Sequence, residues 1–210
     1  SASAHRKNKL YIIKEKKWLY SRDIKKMIRS VSKHQGLVHY STRRTRDFTA
    51  SAVGMDGLHH IVNSYLVGYM PFRPKNVWTP WHTLAKKKKY QSDHLRLKKG
   101  RVDEWQTSRQ AHKYKYGDCE DHSIALADWL IGMGKDARVV IGSWNGEGHA
   151  WVVLLLNGKQ YILESTLKKG FKNMRTLPLA RLQHGYCPKY MFNRNVYWKN
   201  TGSPLTSNYT

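Results

Sequence analysis

The pattern of apolar and polar positions is clearest in the middle of the chain. After YGDCEDH at residues 116–122, dense apolar residues predict a buried helix from Cys119 to Met133, and Gly134 is typical of the residue that follows a helix end. ARVVIG at residues 137–142 predicts a strand. Two further β-rich runs are joined by Asn157–Gly158, a strong signal for a two-residue hairpin turn. The pattern therefore predicts a helix followed by an antiparallel sheet.

The flanking regions carry weaker patterns. Helices are predicted at residues 21–34, 55–70 and 103–114, a strand at 189–198, and a long connection with short helical pieces at 72–100. The last dozen residues are rich in Ser, Thr, Asn and Gly, which predicts a loose tail. We expect three parts: a basic N-terminal extension with a peripheral helix (1–55), one main domain (56–198) and the tail (199–210).

The hairpin permits a geometric prediction. If Asn157 and Gly158 are the two turn residues, Trp151 faces Glu164 across the strands. Side chains alternate between the faces of a strand, so His149 and Glu164 share a face and lie diagonally, with their backbones roughly 7–8 Å apart. A carboxylate in that position accepts the second N–H of an imidazole and stabilises the imidazolium, which is the orienting role in a catalytic triad.

Cys119 begins the predicted helix. A cysteine there is a packing residue, a metal ligand or a nucleophile. The order of helix-start Cys119, strand-borne His149 and the acid Glu164 favours the nucleophile. The positive end of the helix dipole and a nearby His149 should both lower the pKa of the Cys119 thiol. Cys187 precedes Pro188 in a predicted turn without such partners, so we interpret it as structural.

Two sets of three stretches carry a resemblance to known families. GDCEDHSIALADWLIGMG, HAWVVL and YILEST together resemble the transglutaminase-like cysteine enzyme superfamily. VNSYLVGYMPF at residues 62–72, DEWQTSRQAHKYKYGDCED at 103–121 and KYMFN at 189–193 are similar to the bacterial transglutaminase-like cysteine proteinases of the LapG type. The resemblance covers roughly residues 56–198, is specific at GDCED and HAW, and is looser elsewhere.

The resemblance implies a fold and a set of roles. The implied fold is an α+β, papain-like or transglutaminase-like core, in which the helix bearing the nucleophile packs on an antiparallel sheet. The implied roles are nucleophile for Cys119, base for His149 and orienting acid for Glu164, although the family usually has Asp at the third position. In LapG-type proteases the acids beside the cysteine bind calcium, which here implies Asp118 and Glu120.

These residues predict a cysteine-dependent amide acyl hydrolase, a protease, that works through a thioester and requires no cofactor. Acyl transfer to an amine on the same triad and a non-catalytic basic module that binds an anionic glycan or nucleic acid are the alternatives. Backbone N–H groups around Cys119 are expected in the oxyanion hole, with Trp105 or Gln106 on the opposing wall of the cleft.

The charge of the chain points to an anionic partner. Lysine and arginine total 38 against 14 acids, a formal net charge of +24. Such a balance favours acidic proteins, anionic glycans or other polyanions beside a protein or peptide substrate. A lysine run, Lys86 to Lys89, with Lys98, Lys99 and Arg101 beyond it, is a candidate binding surface.

The remaining expectations concern location and assembly. No apolar run approaches the roughly 20 residues that cross a bilayer, so we expect no transmembrane segment. The two cysteines fit any compartment, and the first residues show no leader pattern. The resemblance implies a periplasmic or secreted location, with a cytoplasmic one as the alternative. We expect a monomer.

Overall fold

The computed structural model describes residues 9–13, 26–31, 35–42, 48–87, 89–90, 104–165 and 176–210. Its strands are β1 (Lys9–Ile13), β2 (Val38–Thr42), β3 (Phe48–Val53), β4 (His59–Ile61), β5 (Lys89–Tyr90), β6 (Tyr116–Gly117), β7 (Asp136–Trp144), β8 (Glu147–Leu156), β9 (Lys159–Leu163), β10 (Tyr186–Phe192) and β11 (Tyr197–Lys199). Its helices are α1 (Trp78–Lys87), α2 (Ser108–Lys113) and α3 (Cys119–Gly132), with 3₁₀ turns at Val62–Tyr65 and Ala180–Leu182. Of the helix predicted at 21–34, residues 26–29 are helical and most of the rest lies outside the described residues.

The larger sheet has five strands in the order β11-β10-β7-β8-β9, and every neighbouring pair is antiparallel. The β8–β9 hairpin turns at Asn157 and Gly158, whose φ angles are 53° and 72°. Positive φ at both positions is the geometry that suits Asn-Gly in a hairpin turn. Leu156 pairs with Lys159, so the predicted hairpin register is confirmed.

Helix α3 covers one face of this sheet. Its side chains are buried almost all round, and Leu126, Trp129 and Leu130 are at most 1% exposed. They pack with Val139 and Val152 of the sheet in the main core. Full burial of one such side chain stabilises the fold by about 1.5–3 kcal/mol. The predicted α+β class, with the cysteine-bearing helix packed on an antiparallel sheet, is confirmed.

The smaller sheet shows that the core begins well before residue 56. Its order is β1-β2-β3-β4, with β1 parallel to β2 and the other pairs antiparallel. Ala50 and Ala52 of β3 are buried in the main core beside Trp105. β3 pairs with β4 across the expected boundary, Val53 opposite His59. The described part of the extension is therefore continuous with the main domain.

The helix predicted at residues 55–70 is wrong. A turn at Gly57, where φ is 76°, leads into β4, which is followed only by the 3₁₀ turn and an irregular segment. The strand forms because the preceding strand β3 offers it hydrogen-bonding partners, and this tertiary pairing overrides a helical spacing of apolar residues. Helix α1 occupies much of the connection predicted at 72–100, and Asn76 accepts the backbone N–H of Thr79 at 2.9 Å near its start.

The irregular segment after the 3₁₀ turn is held by a buried carboxylate. Asp128 of α3 accepts the N–H groups of Gly68 at 2.9 Å and Tyr69 at 2.8 Å, and the hydroxyl of Ser108 at 2.6 Å. Its other oxygen pairs with Arg194 Nε at 2.7 Å. A fully buried carboxylate is tolerated because these donors replace water. Asp128 thus joins four separate segments of the chain.

The predicted loose tail is wrong. Tyr209 is 3% exposed, and its carbonyl accepts Arg138 Nη1 at 2.8 Å. Its hydroxyl accepts the indole N–H of Trp151 at 3.2 Å. An aromatic ring near the chain end that packs on the sheet outweighs the polar composition around it. Among the described residues, no helix has the length and apolar character needed to cross a membrane.

The strand predicted at 189–198 is two strands. The chain turns between β10 and β11, where the side chain of Asn193 accepts the N–H groups of Asn195 at 2.9 Å and Val196 at 2.8 Å. Cys187 lies within β10 opposite Ser143, so the turn predicted around it is also wrong. Its thiol is not in a disulfide and is partly buried.

Candidate active site

The hairpin brings His149 and Glu164 into direct contact. His149 lies on β8 and Glu164 follows the last residue of β9, and Nε2 is 2.6 Å from Oε1. The side chains are 16% and 7% exposed. An ionised carboxylate can only accept, so Nε2 carries the proton and Nδ1 keeps its lone pair. The juxtaposition is the one that the hairpin register predicts, and it leaves Nδ1 able to act as a base.

Cys119 is the first residue of α3 and faces the strand that carries His149. The backbone N–H of Ala150, the residue after His149, lowers the pKa of the Cys119 thiol. The thiol itself donates to Glu120 Oε2 at 3.5 Å. Cys119 is only 7% exposed. The three predicted triad residues therefore converge where the start of α3 meets β8 and the end of β9.

The electrostatics of the thiol differ from expectation. Burial raises the pKa of Cys119 well above its usual value, and the charges of Glu120 and Asp118 raise it further. The Ala150 N–H lowers the pKa but does not offset burial. The predicted lowering of this pKa is wrong because the helix dipole is opposed by desolvation and by two acids beside the sulfur. At neutral pH the resting group is a thiol, so its proton must leave as it attacks.

Tyr186 is a site residue that sequence reasoning missed. Its hydroxyl donates to Glu164 Oε1 at 3.0 Å, the same oxygen that receives His149. Burial and the nearby Glu164 charge raise the pKa of Tyr186, which keeps it a neutral donor. Tyr186 reaches the site because β10 pairs with β7, Tyr186 opposite Trp144. That pairing joins residues far apart in the chain, and no local sequence motif indicates it.

Two indole rings lie beside the imidazole. Trp144 is 37% exposed, and its ring centroid is 5.9 Å from that of His149. Trp151 is buried and stacks near the same imidazole with centroids 6.0 Å apart and an angle of 25°. The buried ring restricts the orientation of the imidazole. The exposed ring offers an apolar wall next to the base.

The backbone around Glu164 is fixed from two sides. The indole N–H of Trp81 on α1 donates to the Glu164 carbonyl at 2.8 Å. His122 Nδ1 on α3 lies 3.3 Å from the Ser165 carbonyl. Because both contacts are buried, they hold the acid rigidly beside the hairpin. The position of the carboxylate therefore depends on two helices as well as on its own strand.

The acids at the start of α3 serve as helix caps. Asp118 accepts the N–H of Asp121 at 3.3 Å, and Asp121 Oδ2 accepts the N–H of Asp118 at 3.1 Å. Asp121 Oδ1 also accepts the Gln106 N–H at 2.8 Å. Burial raises the pKa of Asp121 to about 6. This reciprocal capping satisfies backbone donors that a helix start leaves unpaired.

The expected calcium site does not fit these residues. Asp118 faces the backbone of the helix start, and Glu120 accepts the Cys119 thiol. Calcium requires about six to eight oxygen ligands. Among the described residues, no group of three or more His, Cys, Asp or Glu side chains is placed to hold a metal ion. The capping role accounts for Asp118 without a metal.

The predicted cleft-wall residues lie in the interior. Trp105 is 5% exposed, its N–H donates to the Val53 carbonyl at 2.8 Å, and its ring packs against Tyr65 and Phe192. Gln106 is fully buried, and its side-chain amide donates to the Tyr116 carbonyl at 3.1 Å. Both residues hold the segment before α2 in place, and these contacts do not support a wall opposite the thiol.

The lysine run lies nearer to the thiol than its sequence position indicates. Lys86 is exposed near the end of α1. Lys89 in β5 pairs in parallel with Tyr116 in β6, three residues before Cys119. Lys98, Lys99 and Arg101 lie outside the described residues.

A family model and a curated relative each match part of the chain. The model of the CEP76 peptidase-like domain matches residues 103–204, just under half of the chain. Centrosomal protein of 76 kDa from Xenopus tropicalis aligns with 38% identity over 55 residues, which is 26% of this chain and 8% of that protein. The match thus spans less than a tenth of the length of this curated relative.

Solved structures with a similar arrangement come from Legionella pneumophila LapG. The calcium-bound form has a TM-score of 0.48 and 17% identity, covering 67% of this chain and 75% of that one. The EGTA-treated form has a TM-score of 0.47 and 18% identity, covering 67% and 73%. At these values the likeness says nothing about the substrate or metal of this chain.

The family assignment from sequence is corrected accordingly. The resemblance to bacterial LapG-type proteinases is wrong at the level of the family, because the matching family model and the curated relative both point to CEP76. The periplasmic or secreted location, which came from that resemblance, stays a prediction.

Proposed function

We propose that the chain is a cysteine-dependent hydrolase that cleaves amide bonds of proteins or peptides through a thioester on Cys119. The observation that carries this proposal is the partly buried contact between His149 Nε2 and Glu164 Oε1, 2.6 Å long, on a strand whose next backbone N–H, that of Ala150, lowers the pKa of the Cys119 thiol. A histidine held by an acid on one nitrogen, beside a thiol at a helix start, is the arrangement for nucleophilic acyl chemistry.

The first half-reaction transfers the acyl group to the enzyme. His149 Nδ1 takes the proton of Cys119 as the sulfur attacks the substrate carbonyl, and a tetrahedral intermediate forms with a C–S bond. The N–H of Cys119, among the first of α3 and so without an intrahelical partner, is suited to donate to the oxyanion. The imidazolium, stabilised by Glu164, then protonates the leaving amine as the C–N bond breaks.

The second half-reaction releases the acyl group. Water replaces the amine beside His149, which removes a proton from it as the oxygen attacks the thioester. The C–S bond breaks, the proton returns to the sulfur, and a carboxylic acid product leaves. Glu164 remains ionised throughout and holds the imidazole in one tautomer. An amine in place of water would give acyl transfer by the same steps.

A non-catalytic binding module is the second candidate, and one observation favours it. The thiol of Cys119 is buried, has a raised pKa, and donates to Glu120. A site kept for binding alone would tolerate this environment. The proposed hydrolase must instead deprotonate the sulfur during attack, which His149 allows.

A peptide-library digestion tests the proposal. The chain is incubated with a diverse peptide mixture, and new termini are identified by mass spectrometry, with and without a primary amine in excess. We expect new carboxyl termini that disappear in Cys119→Ala and in His149→Ala but persist in the matched control Cys187→Ala. Amine adducts in place of carboxyl termini would indicate acyl transfer. Cleavage that survives Cys119→Ala, or none by the parent chain, would refute the hydrolase.

A further inference from the structure

Three exposed lysines on the elements that precede α3 in the chain form a basic rim. They are Lys86 near the end of α1, Lys113 at the end of α2 and Lys115 just before β6. The backbone of Lys89 pairs with that of Tyr116 in the same region. None of the described carboxylates forms an ion pair with Lys113 or Lys115. The rim therefore presents positive charge that the described part of the protein does not neutralise.

Two of these ammonium groups lie near the ring of the following tyrosine. Lys113 Nζ lies 5.9 Å from the ring centroid of Tyr114, and Lys115 Nζ lies 5.8 Å from that of Tyr116. Both tyrosines are exposed, 39% and 43%. Cation–π contacts of this length restrict where a long lysine side chain points. The two charges are thus attached to the segment that leads directly into the nucleophile.

Backbone geometry limits the distance from the rim to the sulfur-bearing residue. Four residues of fully extended chain reach at most about 14 Å, which bounds the separation of Lys115 and Cys119. Lys89 is one strand spacing of about 5 Å from Tyr116, which is three residues from Cys119, so its backbone lies within about 16 Å. An extended peptide advances about 3.3 Å per residue. The rim can therefore contact substrate residues up to about five positions from the bond that is cut.

The acids at the start of α3 contact groups of the protein itself. Asp118 and Asp121 cap the helix, and Glu120 accepts the Cys119 thiol. The negative charges at the start of α3 are thus bonded to the helix and the nucleophile, whereas the nearby lysines face solvent. The separation of these acids from the lysines favours a substrate whose own carboxylates lie several residues away from the scissile bond.

On the basis of the proposed function, we propose that the substrates are acidic polypeptides, with Asp or Glu within about five positions of the cleaved bond and bound by the rim. A nucleic acid would also be attracted to the lysines. Its backbone has no amide carbonyl for Cys119 to attack, so the position of the rim beside the nucleophile favours a polypeptide.

Binding is tested separately from cleavage. The Cys119→Ala chain, which cannot form a thioester, is titrated with a 20-residue poly-glutamate, a matched poly-glutamine and a 20-nucleotide oligo-dT. We expect poly-glutamate to bind, poly-glutamine not to bind, and the double change Lys113→Ala/Lys115→Ala to weaken poly-glutamate binding about fivefold at low salt and less at physiological salt. Equal binding of poly-glutamate by the double variant would refute the proposal that the rim binds acidic polypeptides. Oligo-dT binding that is tighter than that of poly-glutamate and is lost in the same variant would overturn the polypeptide assignment.

The matched control removes two lysines at the other end of the molecule. Lys135 follows α3, a 14-residue helix about 21 Å long, and Lys159 begins β9 beside the hairpin turn. Lys135→Ala/Lys159→Ala changes the net charge equally but should leave poly-glutamate binding unchanged. An equal loss in this control would show that total charge, and not the rim, determines binding.

The peptide-library digestion separates this proposal from the proposed function. Cleavage sites enriched in Asp and Glu within five positions, with enrichment reduced by Lys113→Ala/Lys115→Ala, would support the rim. Cleavage without such enrichment would refute the preference for acidic substrates but would leave the proposed hydrolase activity supported. If no peptide is cut, the proposed hydrolase activity is refuted. The binding titration alone then decides whether the rim binds acidic polypeptides.

Discussion

Replacement of Glu120 by Gln should make Cys119 more reactive. A thiolate at Cys119 would lie 3.5 Å from Glu120 Oε2. Two unit charges at this distance repel by about 1.2 kcal/mol in water and about 4.7 kcal/mol at an effective dielectric constant of 20. Glu120 is partly exposed, so solvent screens the interaction and the lower part of this range, about 1–2 kcal/mol, applies. Gln keeps the shape of the side chain and removes the charge.

The expected effect on rate is smaller than the effect on ionisation. A relief of about 1–2 kcal/mol raises the ratio of thiolate to thiol by about five- to thirtyfold. The nucleophilicity of a thiolate falls as its pKa falls, with a Brønsted coefficient of about 0.4–0.5. The net gain in alkylation rate at neutral pH is therefore about two- to eightfold, and the pH midpoint of the reaction should move downward.

Iodoacetamide alkylation measured by mass spectrometry from pH 6 to 10 tests this expectation, because it reports the alkylation rates of Cys119 and Cys187 separately. The rate at Cys187 should stay constant and serves as an internal reference. Glu147→Gln is the matched control, since it removes an exposed carboxylate and changes the net charge equally. An unchanged or slower rate at Cys119 in Glu120→Gln, or an equal gain in Glu147→Gln, would refute the electrostatic account.

Four further expectations follow from side-chain contacts. Glu164→Gln should lower the rate of peptide cleavage by about 10²–10⁴ with little change in thermal unfolding, and Glu164→Asp should retain more activity; equal activity of Gln and parent would contradict an orienting acid. Tyr186→Phe should lower the rate by about ten- to a hundredfold, as expected when a hydrogen bond to a charged group is lost, and a fall in stability without a fall in rate would contradict this. Asp128→Asn should lower the free energy of unfolding by about 2–4 kcal/mol in a denaturant titration, because Arg194 loses its buried partner; a loss below half a kcal/mol would be inconsistent. EDTA or EGTA should leave cleavage and melting temperature unchanged, since the acids of α3 cap the helix, and a loss restored by calcium would contradict that role.

Local signals were sufficient for the centre of the fold. Asn157 and Gly158 adopt the positive φ angles that their residue types allow, and this turn sets the register that joins His149 to Glu164. Helix α3 was predictable because its apolar side chains are buried almost all round and Gly134, with φ of 80°, follows it. In these places local preference and tertiary packing agree.

Contacts between separate elements determined the rest. The residues around His59 form a strand only because β3 lies beside them, and Tyr186 reaches Glu164 only because β10 pairs with β7. Tyr209 is buried by contacts with Arg138 and Trp151, which no pattern in the last dozen residues indicates. The raised pKa of Cys119 depends on burial and on the direction of one neighbouring side chain, neither of which spacing along the sequence can show.

The contacts of Asp128 have a consequence for the way the protein opens. The N–H groups of Gly68 and Tyr69 belong to a segment without regular secondary structure, yet their acceptor is a buried side chain in the middle of α3. Exchange of these two amides with deuterium requires their hydrogen bonds to Asp128 to break. The Asp128 carboxylate is fully buried, so water cannot replace the two N–H donors at its oxygen. They should therefore exchange as slowly as the amides of the core helix, in one cooperative unit with it.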